Sequence, residues 1–495
     1  MVLPWLNPFA PGPAPNVAPL MFAWACVAIL LAVAALHRPE NQPTRLSGVA
    51  AGAWLAAAVL SCGIALLQYF GQTQVLGQWG NHTGMGEAFA NLRQRNQFAT
   101  LTSIGLLALL WEVAQGAVQA RSVPRSGRWL LWGAAALLLA AGNAASGSRT
   151  GLFQWWLVAG LALLWWRVLR TRSAAATPIL LTGLGALGLY CLAVVVLPVL
   201  LEWATGFQSG GLMGRFKEEV GCQSRRVLWS NVLYLIAQKP WTGWGWNELG
   251  YAHFVTLYPG QRFCDILDNA HNLPLHLAVE LGVPLALTVC AALLWLVLRA
   301  RPWQESDATR QLAWGVLAVI GLHSLLEYPL WYGPFQLAAG LSVWLLILPQ
   351  PLHRFMARAR MLYCLTAIVL IAMLTCAGWD YWRVSQLYVA HGERAPAYRD
   401  NTLDAVRNTL LFRNQMRFAE LTTTPLTPEN ARHQYAMAEQ LLHFSPEPRV
   451  VEKLMESATA LGNGDARAFY AVRYKAAFPA NDADWIVRSG RSEAP

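Results

Sequence analysis

Long uncharged apolar runs decide what this chain can fold into. A hydrocarbon core of roughly 30 Å takes about 20 helical residues, each rising about 1.5 Å. Runs read as spans at about 19–36, 47–68, 98–114, 129–145, 152–166, 177–201, 272–298, 311–326, 335–348 and 361–379. The expected fold is therefore an all-α polytopic membrane protein with about 10–12 transmembrane helices. Composition agrees: 55% of residues are hydrophobic and 13% charged, against about 25% charged in soluble domains. Trp and Tyr, 24 and 14 in number, often stand at run ends, as at Trp129, Trp155, Trp156, Trp165, Trp166, Trp241 and Trp246. Membrane interfaces use aromatic side chains in this way.

The net charge is +10, and its placement argues against nucleic acid. A nucleic-acid surface clusters its basic residues on a soluble face. Here they alternate with the apolar runs. Arg38 and Arg45 lie in 37–46; Arg121, Arg125 and Arg128 in 115–128; Arg167, Arg170 and Arg172 in 167–176. Arg299, Arg301 and Arg310 lie in 299–310, and Arg354, Arg358 and Arg360 in 349–360. The positive-inside rule assigns these loops to the cytoplasm. The other side then holds 69–97, the Ser146–Gly151 turn, 202–270, the Glu327–Pro334 turn and everything after residue 380. Residues 1–18 are Pro-rich and uncharged, with no basic stretch before the first run, so no cleaved signal peptide is expected.

Four segments follow. Residues 1–201 are N-terminal transmembrane helices, and 202–270 a long loop with basic and Trp/Gly-rich segments. Residues 271–379 are C-terminal transmembrane helices, and 380–495 a soluble helical domain. In that tail the charges nearly balance. Helical periodicity runs through Asp404–Leu421, Pro428–Phe444 and Glu452–Leu461, which suits a TPR-like hairpin domain that packs or docks a partner. The eight cysteines form no CxxC pair. Cys222 and Cys264 share the long loop and are a candidate disulfide if that loop meets an oxidising compartment.

Polar residues at the outer edge supply the candidate chemistry. His271 stands where the long loop meets an apolar run, inside Phe263–Gly282. Asn272, His276 and Glu280 follow at helical spacing on one face. Intramembrane ionisable groups face a protein-lined cavity or carry function; the bland reading of a lone edge histidine is a satisfied hydrogen-bonder. Asn91-Leu-Arg93-Gln-Arg95-Asn96-Gln97 places two arginines before a span, for phosphate oxygens or for snorkelling. Arg149 sits in a Gly-rich turn between spans, as an anion contact or as a cap on carbonyls. Arg225 and Arg226 precede Pro240-Trp-Thr-Gly243-Trp-Gly245-Trp-Asn247, an anion site with aromatic walls or an ordinary interfacial helix. Asp265 and Asp268 lack a further ligand set, so no metal is expected. Arginines beside a general base fit glycosyl transfer from a lipid diphosphate.

These motifs resemble a known family. His271-Asn272, nine residues, then Gly282 is similar to the H-N-x9-G signature of the O-antigen ligase and polymerase superfamily. Ser148-Arg149 resembles the start of its shared core, and Arg226-Val-Leu-Trp229 through Gly245 its loop before the histidine. Asn91–Asn96, Glu327-Tyr328-Pro329 and the soluble tail resemble the PglL-type protein O-oligosaccharyltransferases, the pilin glycosylases. Two departures stand out: Leu285 occupies a position where the signature prefers Gly, Thr or Tyr, and no apolar segment precedes the Pro-rich stretch Leu3–Pro19.

The resemblance implies a cofactor-free, metal-independent inverting glycosyltransferase in a bacterial inner membrane, with its active site and tail in the periplasm. Its donor would be a glycan on undecaprenyl diphosphate, and its acceptor a Ser or Thr hydroxyl of a protein such as pilin. His271, Arg149 and Arg226 are then the expected catalytic residues. Arg93, Arg95, Asn96, Gln154, Arg225, Asn272, Glu280 and Tyr328 are expected at the substrate. Ligation of O-antigen to lipid A–core, or polymerisation of repeat units, uses the same chemistry; the tail favours a protein acceptor. A membrane transporter is the alternative of another class, and it would place its polar groups near mid-bilayer.

Overall fold

The structure is a computed structural model and describes residues 1–10, 12–36, 42–118, 125–215, 221–347 and 356–482. Arg38, Arg121 and Arg354 of the expected cytoplasmic loops, 216–220 of the long loop and 483–495 of the tail lie outside the described residues. The α-helices of seven residues or more begin with α1 (Val17–Leu36), α2 (Gln42–Tyr69), α3 (Arg95–Val118), α4 (Arg125–Ser146), α5 (Arg149–Leu169) and α6 (Ala176–Thr205). Next come α7 (Arg225–Gln238), α8 (Leu249–Val255), α9 (Leu273–Leu281), α10 (Val283–Ala300), α11 (Ala308–Ser324) and α12 (Gly333–Ile347). The last are α13 (Met356–Ser385), α14 (Arg413–Thr423), α15 (Ala431–Leu442), α16 (Pro448–Ala460) and α17 (Gly464–Ala477).

The protein is all-helical. Among the described residues, eight helices are long and apolar enough to cross a membrane. Seven of them lie in α1 to α6 and α13, and the eighth starts at Val283 with α10. The two remaining expected spans are shorter helices: α11 has 17 residues and α12 has 15. The expected single span 272–298 is corrected to two helices. Gly282, at φ +89°, separates α9 from α10, because hydropathy is continuous across a glycine that the backbone turns at.

The chain divides into two compact units: Met1–Glu218 with Trp295–Leu374, and Glu219–Leu294 with Thr375–Pro495. In the first, α3 is the hub. It packs against α2, α4, α5, α6 and α11 and is buried almost all round from Gln97 to Leu110. Helices associate closely in lipid where small residues let backbones approach. A Cβ on Gly105 of α3 would collide with Ala58 of α2, and one on Gly142 of α4 with Cys62 of α2. Trp5 is fully buried and meets Phe335 edge-on, with centroids 5.0 Å apart, so the N-terminal segment joins this core.

The second unit joins stretches that the sequence reading drew apart. Helix α8 of the long loop contributes Tyr251, Phe254 and Val255 to the core built from Phe418, Leu441, Leu454 and Tyr474 of the tail. Arg473 Nε donates to Val255 O at 2.7 Å, and His443 Nδ1 lies 2.7 Å from Glu248 Oε2. The tail's α15, α16 and α17 pack in succession. The expected helix across Asp404–Leu421 is in fact Thr402–Val406 and then α14, with a non-helical link between them. Cys222 and Cys264 form a disulfide with Cα atoms 5.4 Å apart.

A clip joins α9 to the Trp-rich segment. Trp244 N donates to Val279 O and Gly245 N to Glu280 O, each at 2.9 Å, and Val283 N donates to Pro240 O at 2.8 Å. Two glycines make the approach possible. A Cβ on Gly243 (φ +68°) would strike the Glu280 carbonyl, and one on Gly282 the Trp241 carbonyl. Gly243→Ala or Gly282→Ala should each cost about 1–3 kcal/mol through positive-φ strain and forced separation, read as a lower thermal midpoint in detergent. Gly185→Ala, whose Cβ would meet nothing, should change stability by no more than about 0.5 kcal/mol.

Candidate active site

The first unit carries Arg93, Arg95, Asn96, Arg149, Gln154 and Tyr328, and the second carries Arg225, Arg226, His271, Asn272 and Glu280. Each half has its own architecture.

In the first unit Ser148 caps α5: its hydroxyl accepts from Gly151 N at 3.0 Å, satisfying one of the amides that a helix N-terminus leaves open. Arg149 is therefore the first residue of α5, half-buried at its N-terminal end, where exposed amides favour anions. The cap is itself held. Ser148 Oγ donates to Asn96 Oδ1 at 2.7 Å, and Asn96 Nδ2 donates to Glu327 Oε1 at 3.1 Å. Glu327 is buried, at the turn after α11. A second network lies one turn deeper. Gln154 is fully buried, and its Nε2 donates to Thr100 Oγ1 at 2.8 Å and to Val319 O at 2.9 Å. Its Oε1 lies 3.1 Å from Ser103 Oγ, whose one hydrogen is shared with Ala99 O at 2.9 Å. Thr100 Oγ1 donates to Asn96 O at 2.9 Å and lies 2.9 Å from His323 Nδ1. A hydroxyl has one hydrogen; once that is given to Asn96, Nδ1 of His323 is the donor in its contact.

Gln154, expected at the substrate, is thus spent on protein partners. Asn96 spans both networks. Arg95 pairs with Glu87 at 3.2 Å, and the Arg93 guanidinium donates to Pro8 O. Tyr328 is half-buried beside Glu327, stacked on Tyr332 at 5.9 Å. His323, Thr100, Ser103 and Glu327 were not expected at the site. They had a signal: each is polar and lies inside or at the end of an apolar run, where a polar group must find a partner.

In the second unit Ser224 caps α7 by accepting from Val227 N at 3.3 Å, so Arg225 and Arg226 open that helix. Arg226 is exposed and Arg225 half-buried. From the same helix, Trp229 Nε1 donates to Ala270 O at 3.1 Å, and Asn231 bridges Gln261 O at 3.0 Å and Phe263 N at 2.8 Å. These bonds tether α7 to the strand of chain that ends at His271. His271 has φ +50°, unusual for a residue with a Cβ. Its amide donates to Asn269 Oδ1 at 2.9 Å, and Asn272 caps α9 by accepting from Leu275 N at 3.0 Å. The imidazole is half-exposed immediately before a capped helix. A left-handed backbone at a functional position stores strain that its surroundings must hold.

His276 and Glu280 share the expected face of α9, but both are buried, with Nε2 of His276 3.6 Å from Oε2 of Glu280. Burial, and then the neighbouring His271, hold the His276 imidazole down at about 4. Burial pushes the Glu280 carboxyl up, while the backbone amides of Asn247 and Leu249 pull it back. Both carboxylate oxygens of Glu280 are buried without a hydrogen bond of good geometry, so Asn247 and Leu249 of the Trp-rich segment act on it as nearby dipoles. Among the described residues, no three His, Cys, Asp or Glu gather where a metal could be held.

Three family models match the chain. One described as protein glycosylation ligase matches residues 88–111. One described as O-antigen ligase matches 134–290. One described as virulence factor membrane-bound polymerase, C-terminal, matches 311–490. The chain is 24% identical over 324 residues to a general O-oligosaccharyltransferase of Acinetobacter baylyi, covering 64% of this chain and 53% of that relative. It is 27% identical over 117 residues to a ComP-specific O-oligosaccharyltransferase of the same organism, covering 24% of this chain and 21% of that protein. The match thus spans about half of the first relative's length and about a fifth of the second's. No solved structure matches. The three models follow one another along the sequence, and the O-antigen ligase model takes in Arg149, Arg226 and His271. On these findings the chain belongs to the O-antigen ligase superfamily and groups there with the PglL-type O-oligosaccharyltransferases.

Proposed function

We propose that this protein transfers a preassembled glycan from undecaprenyl diphosphate to a Ser or Thr hydroxyl of an exported protein such as a pilin, at the periplasmic face of a bacterial inner membrane. The observation that carries this reading is His271: a half-exposed imidazole, held at positive φ between a side-chain-bonded amide and a capped helix. It lies within the stretch matched by the O-antigen ligase model.

In this mechanism a ring nitrogen of His271 takes the proton of the acceptor hydroxyl as its oxygen attacks the anomeric carbon. Attack comes from the face opposite the diphosphate, so the bond to the leaving oxygen breaks with inversion. The departing diphosphate gains negative charge. Arg149 and Arg226, each in the first turn of a helix, supply the guanidinium groups that stabilise that charge. The chemistry needs no metal: cationic side chains and helix termini carry the electrostatic part. Asn96 and Gln154 act through the packing behind Arg149, and Glu280 through the Trp-rich segment.

His271→Ala should lower glycan transfer about 10²–10⁴-fold, the usual worth of a general base, with membrane insertion unchanged. The assay is co-expression with a lipid-linked glycan pathway and a pilin acceptor, read by intact mass. Retained transfer removes His271 from the chemistry. A glycan found on lipid A–core in place of protein would make the enzyme a ligase, and glycan flux through proteoliposomes without transfer would make it a transporter.

Arg149→Ala and Arg226→Ala should each raise the donor KM about tenfold or more. One charge-assisted contact is worth roughly 1.5–3 kcal/mol, and the acceptor KM should stay put. Donor titrations against membrane fractions measure this; unchanged donor KM in both variants would end the diphosphate assignment.

A further inference from the structure

We propose that the segment Thr409–Leu411 is a lipid anchor that fixes the C-terminal helices to the bilayer surface. The argument starts with α13. Between Arg360 and Asp380 this helix carries no charged residue, and that interval is about the length a bilayer core requires. Asp380 therefore marks the depth at which the span leaves hydrocarbon. Trp379 and Trp382 flank it, stacked with centroids 5.2 Å apart and both exposed, as interfacial tryptophans are.

Asp380 is also a clamp. Its Oδ2 accepts from Thr409 Oγ1 at 2.9 Å, from Leu410 N at 2.9 Å and from Leu411 N at 2.8 Å. Arg383, one turn on, lies 3.8 Å from the same carboxylate and donates to Ala405 O at 2.8 Å. Phe412 then turns inward against Tyr381, with centroids 5.0 Å apart. These bonds pin the segment, thirty residues away in sequence, to the level of Asp380. The two leucines so held point away from the protein, 71% and 63% exposed. Adjacent solvent-facing leucines are unfavourable in water, and at this depth the neighbouring phase is lipid. The segment also interrupts what periodicity marks as one helix. Three amide and hydroxyl donors go to a carboxylate rather than to a helical ladder, which is what a shaped loop requires.

The occupant proposed for this surface is the acyl and headgroup boundary of the bilayer, independent of any glycan transfer. The test uses the full chain in phosphatidylethanolamine/phosphatidylglycerol vesicles that contain a lipid with a diazirine in its acyl chain. Photolysis and peptide mass mapping should find adducts at Leu410 and Leu411 at a yield within about threefold of those at Met361–Trp379, with at least tenfold less on α15. Labelling of 361–379 that leaves 410 and 411 blank overturns the proposal, as does equal labelling along the whole tail. A second measurement avoids reagent bias: p-benzoyl-phenylalanine replacing Leu411 should cross-link to lipid, and cross-linking only to protein overturns the anchor in favour of a docking surface.

Discussion

A polar group inside a membrane core has no water to fall back on, so Asn96, Thr100 and Ser103 of α3 take their partners from the protein. That constraint organises the first unit. Thr100, Ser103 and Asn96 lie on the helix that all its neighbours touch, and each reaches for another element: Thr100 to α5 and α11, Ser103 to α5, Asn96 to Ser148 and Glu327. Apolar packing alone would let α5 and α11 rotate or slide, since lipid tails are as greasy as leucine. The hydrogen bonds set their register. Because the cap of α5 belongs to the same chain of bonds, the register that α3 imposes is also the placement of Arg149.

The second unit reaches a comparable precision by other means. Its key residue is not buried in a helix bundle but stands at the end of a long irregular stretch, the kind of segment that ordinarily wanders. Three devices hold it. The disulfide ties Cys222, just before α7, to Cys264, seven residues before His271. The side chains of Trp229 and Asn231 on α7 bond to the backbone that leads into His271. The glycine-permitted clip then locks α9 from the other side. Arg226 shares α7 with these tethers, so the helix that positions the histidine also presents an arginine.

Much of this was legible in the sequence, and the failures have physical reasons. The spans were legible because burial in lipid demands length and apolarity, both of which a run displays. His271 was legible as a polar residue at a hydrophobic edge; the caps were not, because Ser148 reads as part of a turn between spans and Asn272 as part of a helix face until the backbone shows where each helix starts. Gly282 was read as part of a family pattern, but its effect, breaking one span into α9 and α10, was not; hydropathy carries no information about φ. Helical spacing put Asn272, His276 and Glu280 on one face; His276 and Glu280 do meet there, while Asn272 is the extended cap before the helix, and spacing cannot tell which way a face looks. His276 and Glu280 look inward. Likewise Gln154 reads as a candidate ligand until its three partners are placed. The partnership of α8 with the tail was beyond reach, because residues two hundred apart share a core only through tertiary packing.

The two histidines of α9 and its approach show how environment, rather than residue type, selects a base. They are five residues apart and chemically identical. His276 is 3% exposed beside Glu280, and its low affinity for a proton keeps it neutral near pH 7. An imidazole held near 4 could accept a proton only at a cost of several kcal/mol, since each unit is worth about 1.4 kcal/mol. Its fit is structural: a neutral ring packed against a carboxylate whose other neighbours are the amides of Asn247 and Leu249. His271 differs on each count that matters. It is half-exposed, it precedes the helix rather than lying within it, and its backbone amide is held by the Asn269 side chain. A base must meet its substrate before its affinity for protons matters, and the mechanism proposed above gives that position to His271.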